Sequence, residues 1–316
     1  MIRSLHHVTA TVNDAQQDFH FYTKLLGLRL VKKTVNFDNP HVYHFYYGNE
    51  AGAPGTIMTT FPYKDRGVPV GRKGAGQIRV TSFSVPARSL ESWKGRLRER
   101  GVEVRDRAPR FGEAAITFSD PSGLELALVG SEGDDRSPWV SGDIGADQAI
   151  RGLHSLTIPI RDPARTLELM TAVLGFEVVN EAPSRTRLAV NGDLPGRVIE
   201  VVRAPEAPAG VNGLGTVHHV ALAVADAAEQ LEMRRELVRL GYRVTEVLDR
   251  RYFRSIYFRE PGGVLLEIAT VSPGFTVDEE LPCLGRDLKL PPWEEPYRAV
   301  IEAVLPRVLE PPSSVC

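Results

Sequence analysis

Near its start the chain reads Leu5-His6-His7-Val8-Thr9-Ala10-Thr11-Val12, and a close copy recurs as Val217-His218-His219-Val220-Ala221-Leu222-Ala223-Val224. Polar and apolar residues alternate along the first stretch, which is typical of a β-strand. An aspartate follows each stretch, as the residue type that caps a helix, and the amphipathic segment after it ends at Gly27 or Gly241. The repeat therefore extends from a strand into a helix.

The same order of signals appears in two further segments. One begins with Leu153-His154-Ser155-Leu156 and its helix closes at Gly175, while the helix of the other stops at Gly101. Pro/Gly turns at 120–123 and 260–263 lead into closing strands. Each unit thus predicts a strand, a helix and about three more strands. Four such βαβββ modules, in two tandem domains of two modules each, make an α+β fold.

Composition between the modules suggests where the domains end. The stretch 131–150 is rich in Gly, Ser and Asp, as linkers are, and separates an expected N-terminal domain, 1–130, from a C-terminal one, 151–271. Modules one and two fall in the first and modules three and four in the second. Residues 272–316 form a Pro-rich tail in which we expect one short helix over 294–304.

Charge and hydropathy exclude several classes of protein. The 38 Lys and Arg residues are balanced by 40 Asp and Glu, so no bulk positive field exists to attract nucleic acid. No apolar stretch reaches the length of a membrane span or a signal peptide. The two cysteines, Cys283 and Cys316, are too few for a disulfide framework or a cysteine metal site. We therefore expect a cytoplasmic protein.

The two histidine pairs, His6-His7 and His218-His219, contain the candidate metal-ligating residues. Because neighbouring strand residues face opposite sides, only one histidine of each pair is expected to point into a given cavity. Glu267 stands alone among the apolar residues of a closing strand, where an unpaired acid is costly. Two imidazoles and one carboxylate would form a ligand set that leaves open positions on a ferrous ion. The alternative is that these are hydrogen-bonded core residues.

In these modules and ligand positions the sequence resembles the vicinal oxygen chelate superfamily, which includes glyoxalases, resistance proteins and extradiol dioxygenases. Within it, the chain is most similar to the ring-cleaving dioxygenases that open hydroquinones and chlorohydroquinones. The similarity spans nearly the whole chain and is carried by the stretches 4–9, 52–62, 71–74, 274–280 and 284–289.

The resemblance implies two glyoxalase-like domains with open β-barrel sheets, and it also implies which residues form the site. It makes His7, His219 and Glu267 the ligands of Fe(II), with Mn(II) as the alternative ion, and a small aromatic molecule and O2 the substrates. Ser155 and Ala127 stand at the corresponding slots of the other modules and cannot ligate. Around the metal it places, as substrate-contacting or supporting residues, His6, Thr9, His218, Arg250 and Tyr257.

Several alternatives remain open at this stage. A catechol-type extradiol dioxygenase would use the same three ligands, a glyoxalase or epimerase would add a fourth, and a metal-free binding protein would need none. Arg251 and Arg254 compete with Arg250 for the place in the site. His41 and His44 are expected to pack rather than ligate, and His20 to lie at the surface. The assembly state also stays open at this stage, with a homo-oligomer as one alternative, since such modules often associate.

Overall fold

The computed structural model describes residues 1–309, so the end of the tail, 310–316, lies outside the described residues. The strands in the first half of the chain are β1 (Ser4–Val12), β2 (Arg29–Asn36), β3 (Asn39–Gly48), β4 (Ile57–Pro62), β5 (Val80–Pro86), β6 (Arg105–Arg110), β7 (Glu113–Ser119) and β8 (Glu125–Ser131). Those in the second half are β9 (Gly152–Ile160), β10 (Glu177–Ala182), β11 (Arg185–Ala189), β12 (Val198–Arg203), β13 (Thr216–Val224), β14 (Leu248–Asp249), β15 (Arg254–Arg259) and β16 (Leu265–Thr270).

The helices are short. They are α1 (Ala15–His20), α2 (Leu90–Glu99), α3 (Ala164–Glu168), α4 (Ala227–Arg239) and α5 (Arg298–Val304). Single π-helical turns extend α1 over Phe21–Leu25 and α3 over Leu169–Val173, and 3₁₀ turns cover Ala87–Ser89, Phe275–Val277, Leu281–Cys283 and Glu295–Tyr297. None of the helices in residues 1–309 has the length and apolar character needed to span a bilayer.

The helix boundaries follow the capping residues in the sequence. The Asp14 carboxylate accepts a hydrogen bond from the Gln17 backbone N–H at 2.8 Å and so caps α1. Asp226 caps α4 in the same way. At the other ends, Gly27 and Gly241 adopt φ values of 71° and 88°, which favour glycine. The strand, helix and terminator order of the modules is therefore confirmed.

Each of two sheets has eight strands and combines one module from each half of the sequence. The first has the order β14-β15-β16-β13-β1-β4-β3-β2 and contains modules one and four. The second has the order β10-β11-β12-β9-β5-β8-β7-β6 and contains modules two and three. The α+β class and the two glyoxalase-like domains, each built on a curled half-barrel sheet, are confirmed.

The sheets do not follow the expected sequence division into 1–130 and 151–271. The first strands of the modules pair antiparallel across the halves, β1 with β13 and β5 with β9. A first strand needs a partner on its open edge, and a strand from the other half supplies it. As a result, residues near both ends of the chain meet in one sheet.

Both faces of β1 are buried, although the alternation of polar and apolar residues along it is also typical of a strand with one face in solvent. Leu5, Val8 and Ala10 join the main hydrophobic core between the sheets and helices. The opposite face carries His7 and Thr9, which are 1% and 0% exposed. The polar face of the strand is therefore turned into the concave interior of the sheet.

The tail closes one end of the first sheet. Phe275 and Leu284 join a second apolar cluster with Val31 and Tyr46. Lys32, fully buried on β2, pairs with Asp278 at 2.6 Å and with Glu279. Helix α5 and the 3₁₀ turn before it agree with the short helix predicted over 294–304.

Candidate metal centre

Three side chains meet on the concave face of the first sheet. Glu267 pairs with Ala221 on β13, and Ala221 pairs with His7 on β1, so these positions lie side by side across three strands. His219 lies two residues before Ala221 and therefore faces the same side. Glu267 Oε2 lies 2.9 Å from His219 Nε2 and 3.3 Å from His7 Nε2. One ligand atom from each residue falls within 4.8 Å of the others, which is the span of a metal site.

The carboxylate oxygen at the centre of this group lacks a bonding partner. Ser255 donates a hydrogen bond to Glu267 Oε1, but Oε2 is buried and accepts no hydrogen bond of proper geometry from residues 1–309. Burial raises the pKa of Glu267, yet the nearby rings of His7 and His219 hold it well below the usual range. An ionised, buried carboxylate with an orphaned oxygen between two imidazole nitrogens fits a divalent cation.

Each of the two candidate ligand histidines forms a hydrogen bond with the histidine that precedes it in the sequence. The Nδ1 atoms of His6 and His7 are 2.9 Å apart and share a hydrogen bond, and those of His218 and His219 are 2.8 Å apart. For His7 and His219 to present an unprotonated Nε2, their Nδ1 atoms must carry the proton and donate it. Such a bond fixes the tautomer and orientation of a ligating ring.

The supporting histidines are neutral. Burial, and then the neighbouring His7, lowers the pKa of His6 to about 3. Burial, and then His219, lowers the pKa of His218 to about 4. A neutral ring can accept the proton that its neighbour donates, whereas an imidazolium cannot.

Two β-bulges explain how adjacent histidines reach each other. The β1–β13 register shifts between Leu5 and His7, and again between Thr9 and Ala10, opposite His218. His6 and His218 are the extra residues, and a bulge re-aims a side chain in this way. The expectation that only one histidine of each pair reaches the cavity is wrong for the second pair, because His218 and His219 both line it.

A cavity of about 570 Å³ opens beside the candidate metal ligands, and His7 and His219 line it. Several aromatic side chains line it, so it can accommodate a flat ring, and much of the remaining lining is polar. Besides His7, His218 and His219, the residues that matter for the chemistry below are Asp38, His44, Tyr46, Phe61, Arg250, Phe253 and Tyr257.

Arg250 is the arginine at the cavity. Its Nε donates to the Tyr257 hydroxyl at 3.3 Å, and its two terminal nitrogens bond both oxygens of Asp38 at 3.2 and 2.9 Å. Arg251 turns instead toward Asp278, at 3.7 Å, and Arg254 is exposed on β15. Burial, and then Glu267, raises the pKa of Tyr257, so its hydroxyl keeps its proton.

His6 and Thr9 lie behind the cavity rather than on its wall. Thr9 is fully buried and accepts a hydrogen bond from Thr59 at 2.9 Å. Thr59 in turn bonds His44 Nε2 at 2.8 Å. Of the eight residues expected in the site, six therefore meet at the centre and its cavity, and these two support it from the sheet.

Sequence reasoning missed the wall of the cavity. His44, expected only to pack, lines it and joins the hydrogen-bonded chain to Thr9. Phe253 lies against the His6 and His7 rings, with centroids 5.0 and 5.2 Å apart. A signal existed for part of this, because His44 and Tyr46 are two apart on β3 and must share a face. His20 is exposed, as expected.

The chain matches a known family over most of its length. Residues 4–128 and 152–268 match the model of the Glyoxalase/Bleomycin resistance protein/Dioxygenase superfamily. A Bacillus subtilis (strain 168) protein, provisionally named ring-cleaving dioxygenase MhqE, is 44% identical over 96% of this chain and 98% of its own length. The chlorohydroquinone/hydroquinone 1,2-dioxygenase of Sphingobium indicum is 36% identical over 93% of each.

Solved structures agree with this placement. A crystal structure from Bacillus subtilis, provisionally described as a dioxygenase, shares 42% identity over 98% of each chain, with a TM-score of 0.93. Glyoxalase I from Zea mays shares only 14% identity over 85% of this chain and 92% of its own, with a TM-score of 0.64, and so shows the fold alone. The chain belongs to the Glyoxalase/Bleomycin resistance protein/Dioxygenase superfamily.

Proposed function

We propose that this protein is a ring-cleaving dioxygenase that opens a hydroquinone-type aromatic ring with O2 at a ferrous ion. One observation carries the proposal: the orphaned Glu267 Oε2 lies close to His7 Nε2 and His219 Nε2, and both of these histidines line a cavity that also has aromatic side chains. The relatives named as ring-cleaving dioxygenases support the reaction class.

His7, His219 and Glu267 would hold the ion. With this ligand set a ferrous ion keeps open positions at which an aromatic diol and O2 can exchange electrons. The hydrogen bonds that His7 and His219 donate to His6 and His218 keep both ligand rings in the required tautomer. Ser255 holds the second carboxylate oxygen away from that position.

Arg250 and Tyr257 would manage charge and protons at the substrate. The protonated Tyr257 hydroxyl can donate a hydrogen bond to a substrate oxygen, and Arg250 orients that hydroxyl while adding a positive charge. Asp38 holds the guanidinium in place from the cavity mouth. Aromatic walls formed by Tyr46, Phe61 and Phe253 would position the ring and exclude water.

A glyoxalase or epimerase reaction receives less support. Strand β4 of module one lies beside β1 and presents Ile57, Met58 and Thr59 opposite His7, Val8 and Thr9. None of these supplies the fourth ligand that such an enzyme would need. The three-ligand site fits a dioxygenase better.

Oxygen uptake tests the proposal. We expect the iron-loaded protein to consume O2 when hydroquinone is added and to consume it more slowly with catechol. Mass spectrometry should detect an acyclic product that has gained both atoms of O2. Faster turnover of catechol would assign the extradiol class instead. No uptake with either diol, in a sample shown by metal analysis to be fully loaded with iron, would refute the proposal.

A further inference from the structure

The second sheet retains the shape of the first but not its ligands. Ser155 pairs with Ser82 there as His7 pairs with Ala221 in the first sheet, and Ala127 stands beside Ser82 as Glu267 stands beside Ala221. No group of three metal-ligating side chains is found on this sheet within residues 1–309. Its concave face is instead occupied by charged residues.

One turn of the first cavity is repeated in the second sheet. In the first, Arg250 precedes Arg251, which has a φ of 64°, and the Arg250 N–H bonds the Phe253 carbonyl. In the second, Arg110 precedes Phe111, which has a φ of 49°. The backbone of Arg110 lies opposite that of Glu113 in the β6–β7 pairing. Arg110 therefore stands at the position that corresponds to the cavity arginine, Arg250.

The charges of this face do not balance. Glu200 is bonded by Arg185 and Arg187, and Glu113 by Arg187. Arg107 and Arg110 form no ion pair with any residue in 1–309, and Asp193 approaches only Arg187, at 3.9 Å. The cluster formed by Arg107, Arg110, Arg185, Arg187, Glu113 and Glu200 holds four arginines and two glutamates, and so carries excess positive charge.

Arg107 bears most of this imbalance. Its Nε is buried and has no hydrogen-bond acceptor among the described residues. Burial, and then the charge of Arg110, lowers the pKa of Arg107 to about 10. Burial also lowers the pKa of Arg185; Glu200 opposes this effect, and Arg110 adds to it. Guanidinium groups that are desolvated and repel one another are costly unless an anion joins them.

A cavity of about 680 Å³ gives access to these two arginines. Arg79 and Arg105 also line it, but each has a partner, since Arg79 pairs with Glu125 at 2.7 Å and Arg105 with Glu103 at 2.8 Å. The positive charge available to a ligand therefore comes from Arg107 and Arg110.

We propose that the concave face of the second sheet is an anion site, in which Arg107 and Arg110 bind a small oxyanion at the place corresponding to the catalytic cavity. Planar guanidinium groups bind carboxylates in a bidentate manner and also bind phosphate. The ligand is thus a small carboxylate or a phosphate, and the site is separate from the metal centre.

Calorimetric titration of the full-length, metal-loaded protein tests this site. Sodium adipate and sodium phosphate serve as probes, and sodium chloride at matched ionic strength as the reference. We expect saturable binding of at least one probe, and a dissociation constant about tenfold or more higher in Arg110→Gln and in Arg107→Gln, because each removes charge-assisted bonds. Arg98→Gln is the control, an exposed arginine of α2 that does not line the cavity, and should bind as the wild type does.

The outcomes decide between sites and between ligands. Binding of adipate alone would identify a carboxylate site, and binding of phosphate alone a phosphate site; both support the proposal. Binding no stronger than that of chloride, or unchanged binding in Arg110→Gln, would overturn it. Loss of binding in Glu267→Gln would also overturn it, because the anion would then occupy the metal cavity. Thermal melting of each variant checks that Arg107→Gln remains folded.

Discussion

The two sheets share one strand order but treat a buried carboxylate in opposite ways. In the second sheet, Glu200 is 1% exposed and receives hydrogen bonds from two arginines, so the chain itself supplies the balancing charge. In the first, Glu267 is fully buried and faces two imidazoles, and one of its oxygens lacks a partner. The same scaffold thus supplies its own balancing charge in the second sheet and leaves a buried carboxylate open to an external cation in the first.

Loss of Glu267 should have the largest effect. In Glu267→Gln the site loses its only anionic ligand, so we expect metal affinity to fall at least about 100-fold and turnover to fall about 10³-fold or more. Metal analysis after gel filtration and O2 uptake would measure both. Glu125→Gln, on the closing strand of module two, is the control. A Glu267→Gln protein that retains its metal would contradict the assignment.

Glu200 should matter for stability rather than for metal. Glu200→Gln leaves Arg185 and Arg187 with less negative charge in a buried place, so the free energy of unfolding should fall by about 3 kcal/mol or more. Urea unfolding measures this loss, and metal content should not change. If Glu200→Gln lost metal while its stability stayed the same, the contrast between the sheets would be wrong.

Replacing the supporting histidine should lower metal affinity in the first sheet but not in the second. His6→Phe keeps a ring against Phe253 but removes the acceptor for His7, so metal affinity should fall about 10- to 100-fold. The corresponding residue of module three, His154, bonds Ser155 and Glu113 instead. His154→Phe should leave metal affinity unchanged, as isothermal titration with Fe(II) or Mn(II) would show. Equal effects of the two changes would remove the distinction.

A further difference concerns the first helices of modules one and three, where Asp18 corresponds to Thr166. Asp18 accepts hydrogen bonds from Thr60 and Tyr47, but burial, with smaller effects of Asp120 and Asp14, raises its pKa to about 8. The folded state therefore keeps this proton to higher pH than the unfolded state does. Stability is greatest below the unfolded pKa and falls as pH rises toward 8.

We expect the free energy of unfolding to fall by about 1–2 kcal/mol between pH 6 and 8, and Asp18→Asn to lose less over that range. Urea unfolding at three pH values measures the slope. Asp226→Ala, which removes the cap of α4 and is not one of the charges acting on Asp18, should lower the whole curve without changing its slope. A wild-type stability that rises over this range would contradict the raised pKa.

The sequence predicts what is local and misses what depends on distant strands. Periodicity, caps and terminating glycines gave the four modules, and the repeated histidines with Glu267 gave the centre of the site. The resemblance already brings modules one and four to one site, but the direct pairing of β1 with β13 was not predictable from local signals, because any first strand could complete another's edge. The same holds for the bulges at His6 and His218, which exist only in the paired register, and for the partners of Lys32 in the tail.

Pairing β1 with β13 also sets an order of events during synthesis. His7 is synthesised more than 200 residues before its companions His219 and Glu267. A nascent fragment that stops before Glu267 lacks part of this candidate ligand set, so an ion that needs all three side chains can bind only after that residue has been made. Until β13 has been made, β1 lacks its neighbour from the second half, and this delay is expected of contacts between residues far apart in sequence.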